Sequence, residues 1–99
     1  MNKVNEEYEE ALKVLQDIKE QISQAIASLG RVDKEIDEIV YIDQEATLHK
    51  GQSVWINSNP SRFDTLTEKK NEIKTRLVEL RKQYDEAIKE VRKHVEVEL

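Results

Sequence analysis

The feature that most restricts the fold of this chain is a seam of apolar and small residues through its first forty positions. Val4, Tyr8, Ala11, Leu15, Ile18, Ile22, Ala25, Leu29, Val32, Ile36 and Ile39 follow one another at alternating steps of four and three. Residues spaced in this way share one stripe of an α-helix. Sustained over several heptads, the stripe specifies a helix packed lengthwise on another. The seam passes Gly30 without losing phase, from Leu29 to Val32 to Ile36. The spacing therefore predicts one continuous helix with an exposed glycine, at a cost of about 1 kcal/mol relative to alanine.

A second seam fills the C-terminal part. Phe63, Leu66, Lys70, Ile73, Leu77, Leu80, Tyr84, Ala87, Val91 and His94 repeat the same spacing. Between the seams lies Gly51–Phe63, GQSVWINSNPSRF, which holds the only Trp, Pro and Phe of the chain. His49, Lys50 and Gly51 are suited to a helix C-terminus, with Gly51 as its left-handed cap. Asn59-Pro60 is suited to a helix start, because Asn caps free amides and Pro fits the first helical position. The expectation is an all-α fold: an antiparallel, coiled-coil-like two-helix hairpin in a single domain. Its helices cover about 3–50 and 60–94, joined by a hinge at 51–59. Within the polar hinge, Val54, Trp55 and Ile56 are expected to fold back onto the helix ends.

Composition agrees and excludes several functions. Charged residues make up 37% of the 99, and only two Gly and one Pro interrupt them, as in long helices. The net charge of −5 comes without a basic stripe, which argues against nucleic-acid binding and adsorption to anionic membrane. No apolar run approaches the roughly 20 residues that span a bilayer, so membrane insertion is not expected. There is no cysteine, and no charged-then-apolar leader opens the chain. A cytoplasmic protein is expected, with export independent of a cleavable signal peptide left open. His49 and His94 have no Cys or carboxylate at metal-ligand spacing, and each is expected at the surface. Phosphate-binding glycines and nucleophile motifs are absent from the sequence. Neither a cofactor, nor a metal, nor enzymatic activity is expected.

Beyond the seam, Leu12, Ile26 and Val40 recur at fourteen-residue steps on one flank of the first helix, and Ile88 and Val95 widen the second stripe. A stripe wider than two positions in seven calls for more than one neighbour. With a first arm longer than the second, the start of the first helix would overhang. Tyr8, Leu12 and Leu15 would then need cover from another chain. The predicted partner-facing flank is thus Tyr8, Leu12, Leu15, Ile26, Val40 and Ile88. Asp43 and Lys70 each break a seam, and folding at the hinge suggests that they meet as a polar pair setting register.

The hinge also carries a resemblance. Trp55-Ile56-Asn57-Ser58-Asn59-Pro60-Ser61-Arg62-Phe63 is similar to the W-x-G-x-x-A-x-x-F run of WXG-like helical hairpins. These are bacterial proteins of type VII secretion systems, and some are partners of LXG effectors. Trp55 and Phe63 match in identity and spacing. Asn57 stands for the Gly, tolerable because Asn accepts left-handed backbone angles, and Pro60 stands for the small residue. The C-terminal Tyr-x-x-x-Asp/Glu export signal is missing, since Tyr84 is followed four residues later by Ile88. The resemblance implies a non-enzymatic adaptor or targeting chaperone. Such a protein binds the helical N-terminal region of a larger LXG effector, together with a second small helical protein, and depends on them for export. It also implies that Val54, Trp55, Asn57 and Phe63 form the interaction or hinge residues.

Two other classes compete. One is a structural scaffold in which two hairpins form a four-helix-bundle homodimer. The other is a general chaperone resembling the coiled-coil arms of prefoldin subunits. Those arms are joined through β-hairpins, which the hinge here is expected to be too short and too polar to supply.

Overall fold

A computed structural model describes the backbone of residues 3–98 and the side chains of residues 6–95. The fold is all-α in class, an antiparallel helical hairpin with a small β-ribbon in its connection. In chain order the elements are α1 (Lys3–Ile39), β1 (Val40–Ile42), α2 (Gln44–Lys50), β2 (Trp55–Asn57) and α3 (Pro60–Glu98).

The two seams pack against each other in two compact units. One comprises α1 through Ile26 with α3 from Thr75 onward, and the other is Ala27–Lys74. In the first unit Ala11, Ile18, Leu80 and Ala87 are buried, and in the second Val32 and Leu66 are buried. All six are seam residues. The burial removes their apolar surface from water at about 25 cal/mol per Å². Gly30 sits inside α1, and a Cβ built there would have nothing within 4 Å. It is a solvent-facing gap in side chains rather than a point of close approach.

The first helix is shorter than the expected 3–50. It stops at Ile39, and Val40-Tyr41-Ile42 leaves the helix to pair antiparallel with Trp55-Ile56-Asn57. The physical reason is local. Both triplets are rich in β-branched and aromatic residues, which fit a pleated surface better than a helix. The stretch called a hinge at 51–59 is therefore the second half of a ribbon that begins at Val40, and it does supply a β-hairpin-like connection. Asp43 restarts the helix after β1. It adopts an extended conformation and its Oδ1 accepts from the Ala46 N–H at 3.2 Å, capping α2. Gly51 closes α2 with φ of 68°, and its N–H donates to the Thr47 carbonyl at 2.8 Å.

Ending α1 at Ile39 also removes the predicted overhang. α1 and α3 are 37 and 39 residues long. The Tyr8 ring meets His94 edge-on, with centroids 6.4 Å apart, so α3 partly covers the start of α1. His94 is accordingly no surface residue, since its side chain is only 14% exposed and Nε2 lies 3.4 Å from Glu90.

Candidate functional site

The ribbon and α2 carry the candidate site. Its register places Val40 opposite Asn57, Tyr41 opposite Ile56 and Ile42 opposite Trp55. Hydrogen bonds extend the ladder at both ends. The Asp43 N–H donates to Val54 O at 2.8 Å, and the Ser58 N–H donates to Ile39 O at 3.0 Å. Those two bonded rungs fix the alternation, so Ile42 and Trp55 form a non-hydrogen-bonded pair, the kind in which side chains stand closest. The Ser58 hydroxyl also donates to Ile39 O, at 2.9 Å, and the Val54 N–H donates to Thr47 Oγ1 at 2.9 Å. These contacts tie the ribbon to the end of α1 and to α2.

Asn59 starts α3 as its sequence predicts. Its Oδ1 accepts from the Arg62 N–H at 3.1 Å and its carbonyl accepts from the Phe63 N–H at 2.9 Å. Asn57 Oδ1 accepts from the Asn59 N–H at 3.2 Å, shaping the exit from β2. Asn57 does not use the left-handed conformation that its place in the resemblance suggests. Among the described residues, only Gly51 has a positive φ.

Large apolar side chains concentrate on this tip and remain uncovered. Leu48 is 83% exposed and Trp55 62%, with Tyr41 and Ile42 also exposed. Trp55 thus does not fold back onto the helix ends, whereas Val54, Ile56 and Phe63 are half-buried. The pleat explains the difference. Side chains alternate across a strand, so Val54 and Ile56 share one face while Trp55 takes the other. Tyr41, Ile42 and Leu48 were not singled out from the sequence. The signal that could have found Tyr41 and Ile42 is the pair of apolar triplets flanking a polar segment; Leu48, inside that segment, carries no such mark.

The predicted flank divides. Leu12 and Ile26 are exposed, whereas Tyr8, Leu15, Val40 and Ile88 are half-buried. The predicted Asp43–Lys70 pair does not form. Asp43 lies past the end of α1 and caps α2, while Lys70 Nζ meets Asp33 Oδ1 at 2.7 Å, one of the rungs holding α3 to α1. Arg62–Glu35 at 3.1 Å is another such rung. In the first unit Arg76 donates to Gln21 Oε1 at 2.7 Å.

Among the described residues, no three His, Cys, Asp or Glu side chains converge as metal ligands, and no helix is long and apolar enough to cross a membrane. No protein-family model, curated protein or solved structure matches this chain.

Proposed function

We propose that the protein is a non-enzymatic, chaperone-like binding subunit that engages another polypeptide through its ribbon tip. The observation that carries this is the exposure of Ile42 and Trp55, paired on one face of the ribbon, with Tyr41 exposed on its other face and Leu48 exposed on α2. Large exposed apolar side chains gathered in one segment suit a site of protein interaction. Tyr and Trp in particular give large contact area at low cost in side-chain entropy.

The connection between the arms favours the general-chaperone form of this reading. Helical arms joined through paired strands follow the plan of prefoldin subunits, and the ladder at Val40–Ile42 and Trp55–Asn57 meets that requirement. In this form the unpaired backbone edges of the ribbon add to strands of other subunits, and the apolar tip and arms hold a non-native client. A second reading follows from the Trp55 and Phe63 spacing. There the chain is a targeting chaperone for the helical N-terminus of a larger LXG effector in type VII secretion. The exposed Trp55 is available for that contact too, although the chain turns through strands rather than at a tight Trp-x-Gly corner.

Light scattering from a thermally unfolding reporter enzyme tests the proposal. The chain is expected to suppress aggregation at near-stoichiometric ratio, and the double variant Trp55→Ser, Leu48→Ser is expected to lose most of that effect at unchanged helicity. No suppression, together with affinity capture of one large folded protein through the same tip, would favour the secretion adaptor. No binding of either kind would leave the homodimeric scaffold.

A further inference from the structure

We infer that a groove in the first compact unit docks an acidic amphipathic helix of another polypeptide. The groove is lined by Lys19, Ile22 and Ser23 of α1 and by Arg81, Tyr84 and Asp85 of α3. All of them belong to that one unit, and none lies on the ribbon or α2.

Lys19 follows the buried seam residue Ile18, and Arg81 follows the buried Leu80. They therefore hold equivalent flanking positions of an antiparallel pair. Such positions ordinarily carry opposite charges that bridge the helices. The second unit follows that rule: Arg62 reaches Glu35 at 3.1 Å, and Lys70 reaches Asp33 at 2.7 Å. Here two cations share one groove instead. Both are exposed, and among the described residues neither takes part in an ion pair. Asp85 also lines the groove and is exposed, yet it pairs with neither of them, although it stands one helical turn after Arg81. A carboxylate accepts from more than one cation, so one entering beside Lys19 and Arg81 turns a like-charge repulsion into two attractions.

The floor selects the body of the occupant. Ile22 and Tyr84 are seam residues that stay half-buried and line the groove. Leu12, one heptad before Lys19 on α1, is 39% exposed. A helix with apolar residues along one stripe and carboxylates beside it complements both features. The groove is open to solvent, so it could not enclose a small molecule as a ligand pocket does. A second groove of the same unit sets the opposite sign. Glu7, Glu10 and Glu90 line it with Ala11, Val14 and Ala87, and its carboxylates repel an acidic helix.

Binding of labelled peptides to the purified full chain, followed by fluorescence anisotropy, tests this. The probe is a helical peptide with leucine along one stripe and glutamate beside it. Its analogues carry glutamine or lysine in place of glutamate. The glutamate peptide should bind about tenfold or more tightly than either analogue. The double variant Lys19→Glu, Arg81→Glu should reverse that preference toward the lysine peptide, at unchanged helicity. The milder Lys19→Gln, Arg81→Gln should lower the affinity for the glutamate peptide to that for the glutamine analogue, and it decides the matter if the first variant folds poorly. Trp55→Ser, Leu48→Ser should bind the glutamate peptide as the wild type does, so this outcome is separable from that of the tip proposal. Equal binding of all the peptides, binding indifferent to the groove variants, or loss of binding in the tip variant would overturn the proposal.

Discussion

Lys70 Nζ lies 2.7 Å from Asp33 Oδ1, joining the lysine that interrupts the α3 seam to the flank of α1. The pair shows how a polar residue at a seam position is accommodated: the ammonium reaches a carboxylate on the facing helix. With side chains 31% and 46% exposed, solvent screens the attraction, and the coupling should be about 0.5–1 kcal/mol or less. A double-mutant cycle with Asp33→Asn and Lys70→Met, read by urea unfolding, should return that value. The equivalent cycle on Asp43 and Lys70 should return zero.

Among the described residues, Leu66 and Leu80 are the most deeply buried. Truncating either to alanine should cost about 2–5 kcal/mol, the range for buried leucines whose sites collapse only partly. Thermal unfolding followed by circular dichroism would register it as a clear fall in Tm. Leu48→Ala, at an exposed position, should leave Tm nearly unchanged.

The two glycines should respond to alanine with opposite signs. At Gly30, in a helix interior with open space where the Cβ would go, Gly30→Ala should stabilise by about 0.5–1 kcal/mol. At Gly51, with φ of 68°, Gly51→Ala should destabilise by about 1–2 kcal/mol because an L side chain crowds the left-handed backbone. Chemical denaturation of both variants measures the contrast.

Asp43→Ala removes the side-chain cap of α2, worth about 1 kcal/mol. The loss should be local. Amide exchange of Ala46 and Thr47 should accelerate, while amides in the middle of α3 keep their protection.

The helices were legible in the sequence because their signal is long and redundant. Each seam residue from Tyr8 to Ile39 repeats the same phase, and the Asn59-Pro60 start depends only on local chemistry. The ribbon was harder to read for the converse reason. Val40-Tyr41-Ile42 follows the seam without a glycine or proline, and Gln44–Lys50 is itself helical, so the break between them is hidden inside helix-forming sequence. What decides it is pairing with Trp55-Ile56-Asn57, more than ten residues away, and such pairing has no local mark. Moving the end of α1 to Ile39 then changes the partners of everything opposite. Asp43 becomes a cap, Lys70 finds Asp33, and Tyr8 finds His94. The exposure of Tyr41, Ile42, Leu48 and Trp55 was legible only in part, since it depends on which way the pleat turns.

Trp55 is the only tryptophan of the chain and sits on the surface proposed to hold a client, so its fluorescence reports directly on that surface. Free protein should emit as a solvated indole. Titration with a tryptophan-free, chemically unfolded reporter chain should shift the emission to the blue and saturate near the stoichiometry that suppresses aggregation. Suppression of aggregation with Trp55 emission unmoved would contradict the account.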